Sequence, residues 1–312
     1  MRAFLFPGQG SQSVGMGAAL ADASRAARDV FETVDEALGQ NLFRLMREGP
    51  EEELKLTENA QPAIMAHALA VYTALTREGR VDLVQAAHVV AGHSLGEYSA
   101  LSAAGSFDLP TTAKLLKLRG QAMQAAVHVG VGLMAALLGA DLDIARRLAA
   151  AAAQGQVCEV ANDNDPGQVV LSGHFAAIMR AMELAKEYGA KRAILLPVSA
   201  PFHCSLMQPA ADAMAEALGR TEIARPRVPL YANVSAAPTA DPALIRTQLV
   251  EQVTGMVRWR ESVANMAAAG VEEFVELGGK VLGPMVKRIA PDAKVTSVVT
   301  IDDIEALAKE IA

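Results

Sequence analysis

Short apolar runs alternate with amphipathic stretches along this chain, and that rhythm predicts an α/β protein. "AFLF" (3–6) reads as a buried strand ending in the turn "PGQGSQ". "AAHVVAG" (86–92) reads as a second strand, followed directly by a helix beginning at Glu97. "DLPTTAKLLKLRGQAMQAAV" predicts a helix with Pro110 in its first turn, where a missing N–H costs nothing. From residue 132 the rhythm changes. "GLMAALLGA" is a strand, and "DLDIARRLAAAAAQG" a helix opened by Asp and closed by Gly. "QVCEVAN" and "QVVLSG" are strands joined by the turn formers "DNDPG"; "FAAIMRAMELAKEYG" is a helix and "AKRAILLPVS" a strand. The β-α-β-β-α-β order over 132–199 is the ferredoxin-like arrangement. The larger pattern then resumes with strands "VPLYANVS" and "VEEFVELG", helices around Trp259 and from Gly279, strand "KVTSVVT" and helix "IDDIEALAKEIA".

The pattern therefore predicts a large α/β domain in two segments, 1–128 and 200–312, interrupted by a small domain over 129–199. A chain of 312 residues is long for one compact core, which suits that division. At 52% hydrophobic and 20% charged residues, a disordered chain is excluded. No apolar stretch approaches the ~18 residues of a membrane span, and "AFLF" before Pro7 is too short for a signal core. A cytoplasmic protein with no membrane partner is expected. A net charge of −7 argues against nucleic acid as partner. Cys158 and Cys204 form no CxxC pair and read as free thiols; the six histidines show no ligand spacing, so no metal is expected.

The chemistry centres on "GHSLG" (92–96). G-x-S-x-G between a strand and a helix is the nucleophile elbow, a turn so tight that only glycines let strand and helix approach. It would expose the Ser94 hydroxyl and place the Leu95 N–H at a helix N-terminus, where a developing oxyanion is stabilised. A serine that merely caps the helix is the competing reading. A base is needed, and the histidines differ. His67 lies in an apolar helical run, His88 in the strand before the elbow, and His128 and His174 at element ends. His93 adjoins the serine, but neighbours at a tight turn point apart. His203, in the loop "APFHC", follows a strand and comes after the serine, which is the hydrolase chain order. No aspartate stands out as a third member, since Asp163 and Asp165 fall in the expected hairpin turn. "GQGSQS" lacks the third glycine of a dinucleotide fingerprint and reads as a loop bringing Gln9 beside the elbow. Arg119 sits on the apolar stripe of its helix, with Leu115 and Leu116 before it and Ala122 and Met123 after. A buried guanidinium needs an anion, from a ligand or from a structural salt bridge, and both remain open here.

"FPGQGSQ", "GHSLGEYSAL", "LRGQAMQ", "NDNDPGQVVLSG" and "VSAPFHCSLM", in that order, resemble the malonyl-CoA:acyl carrier protein transacylases nearly end to end. The resemblance implies an α/β-hydrolase-like large domain with a ferredoxin-like insert. It also implies a cofactor-free ping-pong transfer of malonyl from malonyl-CoA to the phosphopantetheine thiol of acyl carrier protein, supplying fatty acid synthesis. Carried over by motif, Ser94 is the nucleophile, His203 the base, and Gln9 with the Leu95 N–H the oxyanion hole. Arg119 pairs with the malonyl carboxylate, and the backbone carbonyl of Gln252 orients the histidine. Phe202 leaves little room for an α-methyl group, while Asn162, Asn164 and His93 join the substrate-binding set. The family's "ELGPGKVL" is here "ELGGKVL" (276–282), one residue shorter and without proline, which leaves the shape of that loop open.

The rival readings are a serine hydrolase using the same dyad and a non-catalytic acyl-carrier-binding subunit. Arg119 and the insert favour transfer over hydrolysis. Acyl carrier proteins are acidic and this chain is net negative, so docking needs a local basic patch. Lys191 and Arg192 are the first candidates and Lys287 with Arg288 the second. The chain is expected to act as a monomer.

Overall fold

The computed structural model describes residues 1–311, and in it the apolar runs become strands of two separate sheets. In chain order the strands are β1 (Arg2–Phe6), β2 (Val89–Gly92), β3 (Gly132–Leu138), β4 (Cys158–Asp165), β5 (Gln168–His174), β6 (Arg192–Leu195), β7 (Leu230–Tyr231), β8 (Pro238–Thr239), β9 (Glu273–Leu277) and β10 (Lys294–Val298). The first sheet has the order β10-β9-β1-β2-β7-β8 and is parallel except at β8. The second, β4-β5-β3-β6, is wholly antiparallel.

β1 shows why its run is continuously apolar. Phe4 and Phe6 enter the core that holds the helix Thr57–Arg77, while Ala3 and Leu5 enter a second core with Trp259, Val263 and Leu282. A strand covered by helices on both faces has no solvent side, so it carries no polar alternation. The small sheet divides its residues in the same way. Ala135, Leu137, Val169 and Leu171 pack under the helices Leu142–Ala153 and Phe175–Leu184; Met134, Ala136 and Val170 turn the other way and join the first large core. The chain is thus a mixed α/β protein whose small sheet packs into the large core and against the helices Trp259–Ala268 and Leu282–Ile289.

Several expected strands are shorter or longer than their patterns. "AKRAILLPVS" is a strand only to Leu195, because Pro197 has no N–H to continue the ladder. "VPLYANVS" shrinks to Leu230–Tyr231, and His88 falls one residue outside β2, where its N–H donates to Arg2 O. Asp163 and Asp165 are not in a hairpin turn: β4 runs through both and the reversal is left to Pro166–Gly167. Ion pairs accompany this, with Arg260 2.8 Å from Asp163 and Arg288 2.7 Å from Asp165, so neither buried carboxylate in the strand is left unpaired.

Candidate active site

β2 ends at Gly92 and the helix Gly96–Ala103 begins four residues later. A Cβ on Gly92 would lie 1.9 Å from Gly96 O, and one on Gly96 2.2 Å from Phe6 O, so only glycine fits at either end. Ser94, between them, is held at φ +53°, a conformation costly for a residue with a side chain. Two amides clamp its backbone. Asn233 Oδ1 accepts from the Ser94 N–H at 2.8 Å, and Gln252 Nε2 donates to Ser94 O at 3.0 Å. The hydroxyl is left pointing into a cleft of roughly 390 Å³ between the two sheets.

His203 follows the small sheet and is also left-handed, at φ +57°. Its Nε2 lies 2.8 Å from Ser94 Oγ and its Nδ1 2.8 Å from the Gln252 carbonyl. A carbonyl only accepts, so Nδ1 carries the proton and Nε2 presents its lone pair to the serine hydroxyl. Burial, helped by the Arg119 charge, pushes the His203 pKa down to about 3, which keeps the ring neutral and able to accept a proton. The missing aspartate is thereby explained: a main-chain carbonyl does the orienting.

Arg119, in the helix Leu109–Ala125, is 1% exposed. Nη1 donates to Gln61 Oε1 at 2.8 Å, and Nη2 to Gln252 Oε1 at 2.9 Å and Ser94 Oγ at 3.2 Å. All three acceptors are neutral, Nε has no partner, and among the described residues no carboxylate forms a salt bridge with it. No direct ion pair is formed, and the guanidinium stands 3.2 Å from a serine hydroxyl with no carboxylate bonded to it. Glu97 is the nearest acid, but the Gln252 side chain separates the two: its Nε2 donates to Glu97 Oε2 at 2.6 Å while its Oε1 faces Arg119. Burial pushes the Glu97 pKa up to about 7.

The remaining candidates divide into two groups. Gln9, Leu95, Phe202, Asn162, Asn164 and His93 all line the cleft. Gly8 packs so tightly on the elbow that a Cβ there would lie 2.7 Å from His93 O, and Gln9 Nε2 is 3.3 Å from Thr57 Oγ1. The Leu95 N–H is bonded to no acceptor among the described residues, so it is free for a ligand oxygen. His93 Nε2 meets Asn164 Oδ1 at 2.8 Å, which turns its ring away from the serine. Lys191 and Arg192 are not brought to the site. They lie at the start of β6, about 13 Å of extended chain from Leu196, where that segment reaches the cleft. Arg288 does not line it either: it lies on the helix Leu282–Ile289, whose Leu282 and Met285 do, and its guanidinium is paired with Asp165. The shortened loop ends there too: Glu276 accepts from the N–H groups of Val281, Leu282 and Gly283, fixing its shape without the proline.

Sequence reading missed Glu97, Asn233 and Gln61. Glu97 left one local signal, the single charged residue in "GEYSALSA", three positions after the serine. Asn233 and Gln61 left none.

A mixed α/β protein that presents serine and a neutral histidine at a strand–helix corner is built for covalent acyl chemistry. Comparison with known proteins makes the class specific. Residues 3–281 match the acyl transferase domain family, and the chain belongs to it. It is 43% identical over 288 residues to the malonyl CoA-acyl carrier protein transacylase of Escherichia coli K12, covering 92% of each chain. Its fold is similar to that of the acyl-carrier-protein S-malonyltransferase from Bartonella henselae, with TM-score 0.97, 50% identity and 99% of each chain covered. It is also similar, with TM-score 0.95, 39% identity and 99% coverage of each, to a malonyl-transacylase solved in complex with a type II PKS acyl-carrier protein.

Proposed function

We propose that this enzyme transfers malonyl from malonyl-CoA to the phosphopantetheine thiol of acyl carrier protein through a malonyl-serine intermediate. The observation that carries the reading is Arg119, a buried cation with only neutral partners beside the Ser94–His203 pair. It marks where the free carboxylate of a dicarboxylic acyl group would rest. A simple ester hydrolase has no use for such a charge.

In the first half-reaction Ser94 Oγ attacks the thioester carbonyl as its proton passes to His203 Nε2. The oxyanion is held by Gln9 together with the Leu95 N–H. The C–S bond breaks and the coenzyme A sulfur takes the proton from His203. In the second, the carrier thiol gives its proton to His203 and attacks the malonyl ester, and Ser94 leaves with that proton. The Gln252 carbonyl keeps the histidine tautomer fixed throughout, and no cofactor is needed. Phe202 narrows the space beside the acyl group, while Asn162, Asn164 and His93 border the path of the pantetheine arm.

The same reading takes the parallel sheet and its helices, 1–128 and 200–312, as an α/β-hydrolase-like domain, and 129–199 as a ferredoxin-like insert. The β-α-β-β-α-β order and the strand order β4-β5-β3-β6 support the second assignment. For carrier docking, neither basic pair lines the cleft and Arg288 is held by Asp165, so Lys191 and Arg192 stay the first candidates. The test is to mix the protein with malonyl-CoA and then with holo acyl carrier protein, following intact mass. One malonyl should appear on the protein and then move to the carrier, and Ser94→Ala should abolish the first step. Labelling that persists in the variant would remove Ser94 from the mechanism.

A further inference from the structure

Glu97 is buried in the first turn of the helix Gly96–Ala103 and has no task in the transfer just described. Its Oε2 accepts from Gln252 Nε2 at 2.6 Å and from the Asn233 N–H at 3.2 Å, and its Oε1 has no partner. A carboxyl group so poorly compensated is expensive to bury. What it holds is informative. The Gln252 amide has two unlike ends: Oε1 accepts from Arg119 Nη2 at 2.9 Å, and the NH₂ faces Glu97 Oε2, Ser94 O and, at 3.4 Å, Asn233 Oδ1. Turned end for end, the amide would set its oxygen against three other oxygens and its NH₂ against a guanidinium. Ser94 O and the more distant Asn233 Oδ1 alone would disfavour that flip weakly; Glu97 Oε2, at 2.6 Å, adds the shortest of the three bonds. A direct Glu97–Arg119 ion pair would itself occupy the guanidinium, and the interposed amide prevents it.

We infer that Glu97 is a positioning residue that fixes the orientation of the Gln252 amide, so that Arg119 receives a neutral acceptor and stays free for the carboxylate of the incoming acyl group. The inference rests on the reading of Arg119 given above. Its signature is selectivity, because misplacing Arg119 harms an acyl group with a carboxylate more than one without.

The experiment compares kcat/KM for malonyl-CoA and acetyl-CoA in Glu97→Met, Glu97→Gln and Arg119→Ala. Met keeps the bulk of the side chain but accepts nothing. Glu97→Met should lower malonyl transfer by about 10- to 100-fold and acetyl transfer by no more than about threefold. Glu97→Gln retains an acceptor oxygen and should restore the ratio to within about threefold of the parent. Equal losses for both acyl groups in Glu97→Met, no loss at all, or a Gln variant as impaired as the Met variant would overturn the inference. Arg119→Ala separates the two claims. If it spares acetyl while Glu97→Met does not, only Glu97 is misassigned; if it lowers both equally, the reading of Arg119 falls and the inference with it. Should Glu97→Met fail to fold, the parent protein decides by NMR. The Gln252 side-chain amide protons should exchange slowly and shift in Glu97→Gln, and fast exchange in the parent overturns the inference.

Discussion

On the wall of the cleft that belongs to the parallel sheet, Ser94, His203, Arg119 and Gln252 are each fixed by two or more hydrogen bonds. On the facing wall, Met134, Val170, Leu196 and Val198 offer apolar surface, and Asn162 and Asn164 supply the side-chain amides. The contrast follows from what each wall must do. Groups that meet developing charge must already be oriented when it appears, since reorienting them then would raise the barrier. Groups that only border the arm of a substrate need shape, and their loss weakens ground and transition states alike. Both left-handed non-glycine residues of the site, Ser94 and His203, belong to the reacting pair.

The contrast can be broken most severely at the elbow. Gly92→Ala should destabilise the protein by about 3 kcal/mol or more, because its Cβ would meet backbone rather than a movable side chain. An unchanged denaturation midpoint would mean that the corner has slack. Next in size, His203→Ala should slow acylation by about 10²- to 10⁴-fold with little change in stability. A trivial effect would hand the proton to another group. On the opposite wall, Asn164→Ala removes the partner of His93 and should raise the KM for malonyl-CoA by about fivefold while leaving kcat nearly unchanged. A drop in kcat instead would move Asn164 to the reacting side and erase the distinction between the walls.

The smallest effects concern pH. With its pKa held at about 3, His203 should impose no acid limb on kcat/KM between about pH 5 and 8. A fall centred near its ordinary 6.5 would show the imidazole to be solvated. Stability carries two opposite signs. A lowered histidine contributes fully above 6.5 and less as pH falls toward 3. Glu97, raised from 4.5 to about 7, contributes fully below 4.5 and loses that contribution as pH rises through 7. Glu97→Gln should therefore flatten the decline in stability from pH 5 to 8, as followed by urea midpoints.

The corner, the arginine and the base were all readable from sequence, for local reasons. Glycine spacing marks the elbow, helical period puts Arg119 inward, and chain order singles out His203. The βαββαβ rhythm over 132–199 was equally plain. What stayed hidden joins distant positions. Ser94 meets Asn233 across 139 residues and Gln252 across 158, and no period links such partners. Gln252 was reached only through family resemblance, and then for its carbonyl; its side chain, which ties Ser94, Glu97 and Arg119 together, went unseen. The error at Asp163 and Asp165 has a related cause. Turn-forming residues were read by local preference, and arginines about a hundred residues away, at 260 and 288, reversed it.

Those two ion pairs also bear on how the protein comes apart. Asp163 and Asp165 tie the small sheet to the helices Trp259–Ala268 and Leu282–Ile289, and Val257 exchanges main-chain hydrogen bonds with Ala161 and Asp163 across the same seam. With Met134, Ala136 and Val170 also sunk in the core of the larger body, neither part has a complete interior without the other. Heating should then give a single calorimetric peak whose van't Hoff and calorimetric enthalpies agree, and limited proteolysis should release no stable fragment. The seam makes one melting unit of a chain whose sequence divides into two.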